Sequence, residues 1–327
     1  MFIEQPTFWW NQIVPWTCQI WHIFVSREGS YMSLDNWINF LSLRQWDTLT
    51  LTECEEIARS LDKQLPNTFR FHRVEVHACG SQRHNVAFFE WSTGSPNHGN
   101  AFFALIPGDN ALLGYDREHP FIPTPEQYQN WIEESESDYG MALTKYLDTC
   151  MTPLRYVLIQ PFLLEVMATD LSRPLTFNEE WQMWVYEERS IMHENVLKRH
   201  QEDGFRFPTS DEWEYACAAG ARTLFRWGNE TPNQTIPLLG HRKIANFDLH
   251  LRQNAFGLFI ARNPYQWEFC AQPNIMRGGD GGGALHGGSG IFAEWLTLAS
   301  AFFQPLSESM VNEGTFGVHL RRAYSLF

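Results

Sequence analysis

The sequence is short of positive charge. Its 24 Lys and Arg stand against 38 Asp and Glu, a formal net charge of −14. No basic run or stripe is present that could follow a phosphate backbone, which excludes nucleic acid as an expected partner. Cysteine is sparse and unpaired: Cys18, Cys54, Cys79, Cys150, Cys217 and Cys270 are scattered, with no CxxC spacing and no histidine at zinc-ligand spacing around them. Buried free thiols in a reducing compartment are therefore expected. No uninterrupted apolar run reaches the roughly 18 residues of a membrane-spanning helix, so no membrane association is expected. The opening MFIEQPTFWW carries Glu4 and Pro6 where a signal peptide would have a basic stretch and an apolar run. A cytoplasmic location is expected.

What the chain has in quantity is aromatic residues and glycine, with 14 Trp, 25 Phe and 22 Gly among 327 residues. That composition points to aromatic packing between irregular loops. The length allows two modest domains, divided as an aromatic-rich N-terminal part, 1–98, and a second domain, 99–327. The N-terminal part holds the run FWWNQIVPWTCQIWHIFVS at 8–26, broken at Pro15, which makes one continuous helix improbable. Its rings are expected to pack this segment onto the rest of the molecule, or to form a docking surface.

Local signals are clearest at helix starts. In FPTSDEWEYACAAG (207–220), Thr209 and Glu212 form a capping box, Trp213, Ala216 and Cys217 share a face, and Gly220 suits a left-handed stop. TPEQ at 124–127 places Thr124 as cap, Pro125 at the first helical position and Gln127 to complete the box, before an acidic EESESD run that reads as a solvated face. A third box, Thr176 with Glu179, is expected to open a long helix with Trp181, Trp184, Val185 and Glu188 on one face. Residues 51–63 read as a helix and FRFHRVEVHA as a strand, with Val74 and Val76 opposite Arg73, Glu75 and His77, and with His72 and His77 on opposite faces. NAFFALIPGDNALLGYD (100–116) reads as a hairpin about Pro107-Gly108, and RYVLIQPFLLEVMA (155–168) as strand.

The order IPG, then PF and EV, then FRFPTSDEWEYACAAG with FRWGN, then NAFGL, WEFC, RGG and FGVHLRR resembles the formylglycine-generating enzyme or sulfatase-modifying factor family over roughly 100–327. The resemblance implies an α+β, C-type-lectin-like fold, loop-rich, with few helices and a small antiparallel sheet, here with an N-terminal α/β extension. The fold hosts copper oxidases, non-haem iron sulfoxide synthases and non-catalytic binders, so the site must decide. Copper chemistry in the family uses two nearby cysteines toward the C-terminus. The corresponding MRGGDGGGALHGGSGIFAEW (276–295) has none, which argues against formylglycine generation and against copper. The family's calcium loop is altered too: NAFGLFIARNPYQWEF has Ile260 in place of an Asp, leaving Glu268 and carbonyls as remnants and arguing against calcium. No HxxxHxE or HExxH motif is present.

The glycine-rich run 278–290 lacks the Lys-Ser/Thr of a phosphate loop and reads as close backbone packing or a pliable cleft rim. Arg277, Asp280, His286, Glu294 and Trp295 are the candidate ligand-binding cleft. Asp280, His286 and His319 are a candidate facial set of two imidazoles and a carboxylate for non-haem iron. Two functions follow: a protein that binds a small-molecule or protein partner through its C-terminal loops, or a divergent metal-dependent oxidase.

Overall fold

The computed structural model describes residues 40–92, 100–171, 175–178, 183–186, 190–237, 244, 246–315 and 317–327; the Trp-rich run 8–26 lies outside them. Thr124 and Thr209 start helices as the sequence indicates, and Thr50 does the same for the helix expected at 51–63. Thr50 caps Leu51–Asp62, Thr124 caps Pro125–Asn130 and Thr209 caps Ser210–Ala218, each through a reciprocal box with Glu53, Gln127 or Glu212. Both Ala219 (φ 47°) and Gly220 (φ 85°) take the left-handed conformation that ends the last of these helices.

The strands are β1 (Phe69–Cys79), β2 (Gln82–Trp91), β3 (Ala101–Ile106), β4 (Asp109–Leu113), β5 (Arg155–Ile159), β6 (Phe162–Glu165), β7 (Thr169–Asp170), β8 (Leu175–Asn178), β9 (Met183–Tyr186), β10 (Glu268–Phe269), β11 (Ile275–Arg277), β12 (Gln304–Pro305), β13 (His319–Leu320) and β14 (Ala323–Ser325). The larger sheet runs β1-β2-β3-β6-β14, all antiparallel. Alternation gives it two apolar faces. Val86, Phe88, Ala104, Ile106, Phe162 and Leu164 face the main core, which also takes Trp213, Ala216 and Cys217 of the Ser210–Ala218 helix. Ala87, Phe89, Phe103, Leu105 and Leu163 face a second core closed by Cys54, Ala58 and Leu61 of the Leu51–Asp62 helix. A second sheet, β12-β11-β10-β13-β7, packs Phe269, Met276 and Leu320 against Phe207. The architecture is therefore mixed α+β with mainly antiparallel sheets, and among the described residues no helix is long and apolar enough to cross a membrane.

Four expectations are corrected. The division at 98 falls between β2 and β3, which are hydrogen-bonded neighbours, so residues 69–91 belong to the same sheet and core as the chain beyond. Pro107-Gly108 joins two strands but does not make a hairpin: β3 pairs with β2 and β6, and β4 pairs with β5. The corner is held from outside. Gly108 N donates to Leu41 O (2.8 Å), Leu43 N to Gly108 O (2.7 Å) and Tyr215 Oη to Pro107 O (3.0 Å), so the chain is diverted and not reversed. Of the long helix expected from Thr176, Glu179, Trp181 and Glu188 lie outside the described residues; among the described ones the stretch forms the antiparallel pair β8–β9, and a helix follows at His193–Glu202. LTFN and MWVY are rich in the β-branched and aromatic residues that favour strands, which overrides a cap signal read in isolation. Finally, a register shift between Phe71 and Arg73 brings His72 onto Phe102 and His77 onto Phe88, on one side of the sheet, where unbroken alternation would separate them.

Two buried ion pairs bind the Ser210–Ala218 helix to both sheets. Glu214 accepts from Gly114 N (2.6 Å) through one oxygen, and from Thr152 Oγ1 (2.7 Å), Arg155 Nη2 (3.0 Å) and Arg277 Nη2 (2.8 Å) through the other. Its neighbour Trp213 donates to Glu268 Oε2 (2.9 Å), which Arg321 holds with two bonds of 2.8 and 2.7 Å. Removing one partner of such a pair strands a buried charge. Glu214→Ala is expected to lower unfolding stability by about 3–5 kcal/mol in urea titrations, and Arg277→Met added to it is expected to cost less than the sum of the two single changes.

Candidate functional site

The glycines after Arg277 are where a side chain does not fit. A Cβ at Gly279 would lie 2.1 Å from the Pro264 carbonyl oxygen, and one at Gly282 (φ +86°) 2.1 Å from the Tyr265 ring. The run is thus pressed flat onto residues 264–265, where Asp280 N and Gly281 N both donate to Pro264 O at 3.1 Å. This is the close backbone packing that the composition suggests. The Asp280 carboxylate accepts from Gly282 N (2.8 Å) and Ala284 N (2.6 Å), and so shapes the entry to the short Gly283–Gly287 helix that carries His286.

On that platform the Tyr265 hydroxyl and His286 Nε2 are joined by a 2.9 Å hydrogen bond, their rings 5.3 Å apart and nearly perpendicular, with His286 exposed. Behind the pair stand carboxylates. Glu294, on the Ile291–Leu296 helix, is buried and accepts from Ile236 N at 3.2 Å. Burial, opposed by that hydrogen bond and reinforced by the nearby charges of Glu134 and Asp280, pushes Glu294 up to about 7. Burial also raises Asp280, against the hydrogen bonds it accepts from the backbone. Tyr265 is raised by burial first, then by Asp280 and Glu294. Glu134 accepts from Ile291 N (3.1 Å) and Asn130 from Phe292 N (2.6 Å), which ties the π-helical turn Trp131–Ser135 and the turn before it to the same helix.

Of the expected cleft, His286 meets Tyr265 directly, and Asp280 and Glu294 lie near enough to act on the Tyr265 hydroxyl through their charge. The structure removes Arg277 and Trp295 from it. Arg277 is fully buried, with Nε on Ser210 Oγ (2.9 Å), Nη1 on Phe302 O (2.9 Å) and Nη2 on Glu214 (2.8 Å), leaving no donor directed at a ligand. Trp295 is core: its Nε1 donates to Gln234 O (3.0 Å) and its ring meets His250, Trp227 and Phe247 edge-on. Nor do Asp280, His286 and His319 form a facial set. His319 sits in β13, opposite Asp170 and Glu268, with Nδ1 3.3 Å from Gly317 O and its basicity lowered by burial. Among the described residues no group of three His, Cys, Asp or Glu side chains is placed to hold a metal ion. Glu268, which the resemblance casts as a remnant of a calcium loop, is engaged by Trp213 and Arg321.

Sequence reasoning missed Tyr265 and Glu134. A signal existed for the first: Asn263-Pro264 marks a turn, and Asn263 Oδ1 accepts from Tyr265 N (3.0 Å), aiming the tyrosine. Glu134 was hidden in an acidic run whose Glu133, Glu134, Ser137 and Asp138 are indeed exposed. No protein-family model and no curated protein matches the chain.

Because Glu294 is raised to about 7, the folded protein holds its proton more tightly than the unfolded chain. Stability is therefore lost as pH rises from the ordinary carboxylate range through about 7. Glu294→Gln, which keeps an acceptor for Ile236 N, is expected to abolish this loss, on the order of 2 kcal/mol between pH 5 and pH 8; urea unfolding of both proteins at the two pH values checks it.

Proposed function

We propose that the chain is a formylglycine-generating-enzyme-like protein of C-type-lectin-like type that lacks copper and cysteine oxidase chemistry and binds a ligand or protein partner through its C-terminal loop surface. The observation that carries this reading is the rigid seat of the Tyr265–His286 pair, an exposed hydrogen-bonding couple set by glycines that tolerate no side chain. A preorganised polar pair at the surface loses little freedom on binding, which is what a recognition site needs. The carboxylates of Asp280 and of the exposed Glu134 near it favour a ligand that brings positive charge, such as the amine or guanidinium of a small molecule or of a basic peptide.

The thiol chemistry has no support at this surface. Cys270 is fully buried, burial pushes its thiol up to about 12, and its carbonyl is tied to His193 Nε2 at 2.7 Å. A thiol held protonated is a poor copper ligand and a poor nucleophile.

Titration of the full chain with arginine- and lysine-containing peptides, followed by tryptophan fluorescence, tests the reading, because Trp267 packs against Gly281 of the loop. Saturable binding of the basic peptides, weakened about tenfold by Tyr265→Phe, is expected. Equal affinity in wild type and variant, or no preference over acidic peptides, would overturn it. Metal analysis is the companion measurement: near-stoichiometric iron lost on His286→Ala would replace binding with metal-dependent oxidation.

A further inference from the structure

The β4–β5 ribbon carries an apolar row that the described residues leave uncovered. Along β5 the side chains alternate, and the outward Tyr156 and Leu158, with Leu154 just before the strand, are 72, 70 and 39% exposed. Across the ribbon, Leu112 and Asn110 stand opposite Tyr156 and Leu158. Three large apolar side chains in one line are more than the scattered exposed hydrophobics of an ordinary surface.

The position of residue 40 says what can cover it. Leu41 and Leu43 bracket Gly108, with hydrogen bonds of 2.8 and 2.7 Å, and Gly108 directly precedes Asp109, which pairs with Ile159. Chain neighbours in such an arrangement lie about 4.8 Å apart, so residues 1–39 join the described structure beside the Leu158 end of the row. Within them, FWWNQIVPWTCQIWHIFVS (8–26) contains no Asp, Glu, Lys or Arg and includes Trp9, Trp10, Trp16 and Trp21. Residues 27–39 bridge up to about 40 Å when extended, against roughly 13–16 Å for the length of the row. A tether of that length holds the segment at an effective concentration near the millimolar range, far above that of a second copy in solution.

We propose that residues 8–26 dock on the outward face of the β4–β5 ribbon of their own chain, over Leu154, Tyr156 and Leu158. The tryptophans bury apolar surface against the row, and the absence of charged side chains from the segment means that none must be desolvated for it to do so.

A photoreactive benzoyl-phenylalanine placed at Tyr156 of the full chain tests this at a position that faces away from the core. Irradiation is expected to give a cross-link in the monomer band that maps to residues 8–26. A cross-link in the dimer band, or a monomer band with no peptide from 8–26, overturns the proposal. Leu158→Glu in the full chain is a second arm: chymotrypsin is expected to cut within 8–26 about tenfold faster, with cleavage elsewhere unchanged. An unchanged rate within 8–26 counts against the docking.

Discussion

Two buried carboxylate–guanidinium pairs, one built on Glu214 and the other gripped by its helix neighbour Trp213, hold the rest of the structure in place. Glu214 meets Arg277 of β11, and Trp213 reaches Glu268 of β10, which is itself held by Arg321. Charges this deeply buried are tolerable only when each is paired and its remaining donors are satisfied. Both arginines meet that condition by adding carbonyl partners: Phe302 O for Arg277, and Glu165 O, Val166 O and Phe259 O for Arg321. One helix therefore fixes the small sheet, the end of β6 and the loop before β10 together. Hydrophobic burial alone would leave their relative positions less specified.

The candidate site depends on that frame. Arg277 is the last residue of β11, so its anchoring decides where the glycine run begins. From there the run lies flat against Pro264 and Tyr265, a course open only to glycine at 279 and 282, where any side chain would overlap them. His286 is delivered to Tyr265 at the end of this path. The buried arginine thus positions the surface pair without touching it, a role quite different from lining a cleft.

Helix starts were legible because a capping box is complete within four residues: Thr124 with Gln127 and Thr209 with Glu212 need no distant partner. The same signal failed at Thr176, where β8 found a partner in β9 and ladder hydrogen bonds replaced the cap. The hairpin failed for a related reason. Pro107-Gly108 reads as a turn, but whether a turn reverses the chain depends on which strands flank it, and here β2, β6 and β5 compete for them.

The acidic balance, the absence of a cysteine pair in 276–295, the capped helix starts and the glycine run that admits close packing were all readable from the amino-acid order. These are properties of composition or of residues within a turn of one another. Tertiary structure alone decided that Arg277 and Trp295 point inward, that His319 stands apart from His286, and that Tyr265 and Glu134 join the site. The reason is separation along the chain: the deciding contacts link residues 63 positions apart for Glu214 and Arg277, 53 for Glu268 and Arg321, and 157 for Glu134 and Ile291. Residue type marks a group as able to pair; only the packed chain chooses its partner.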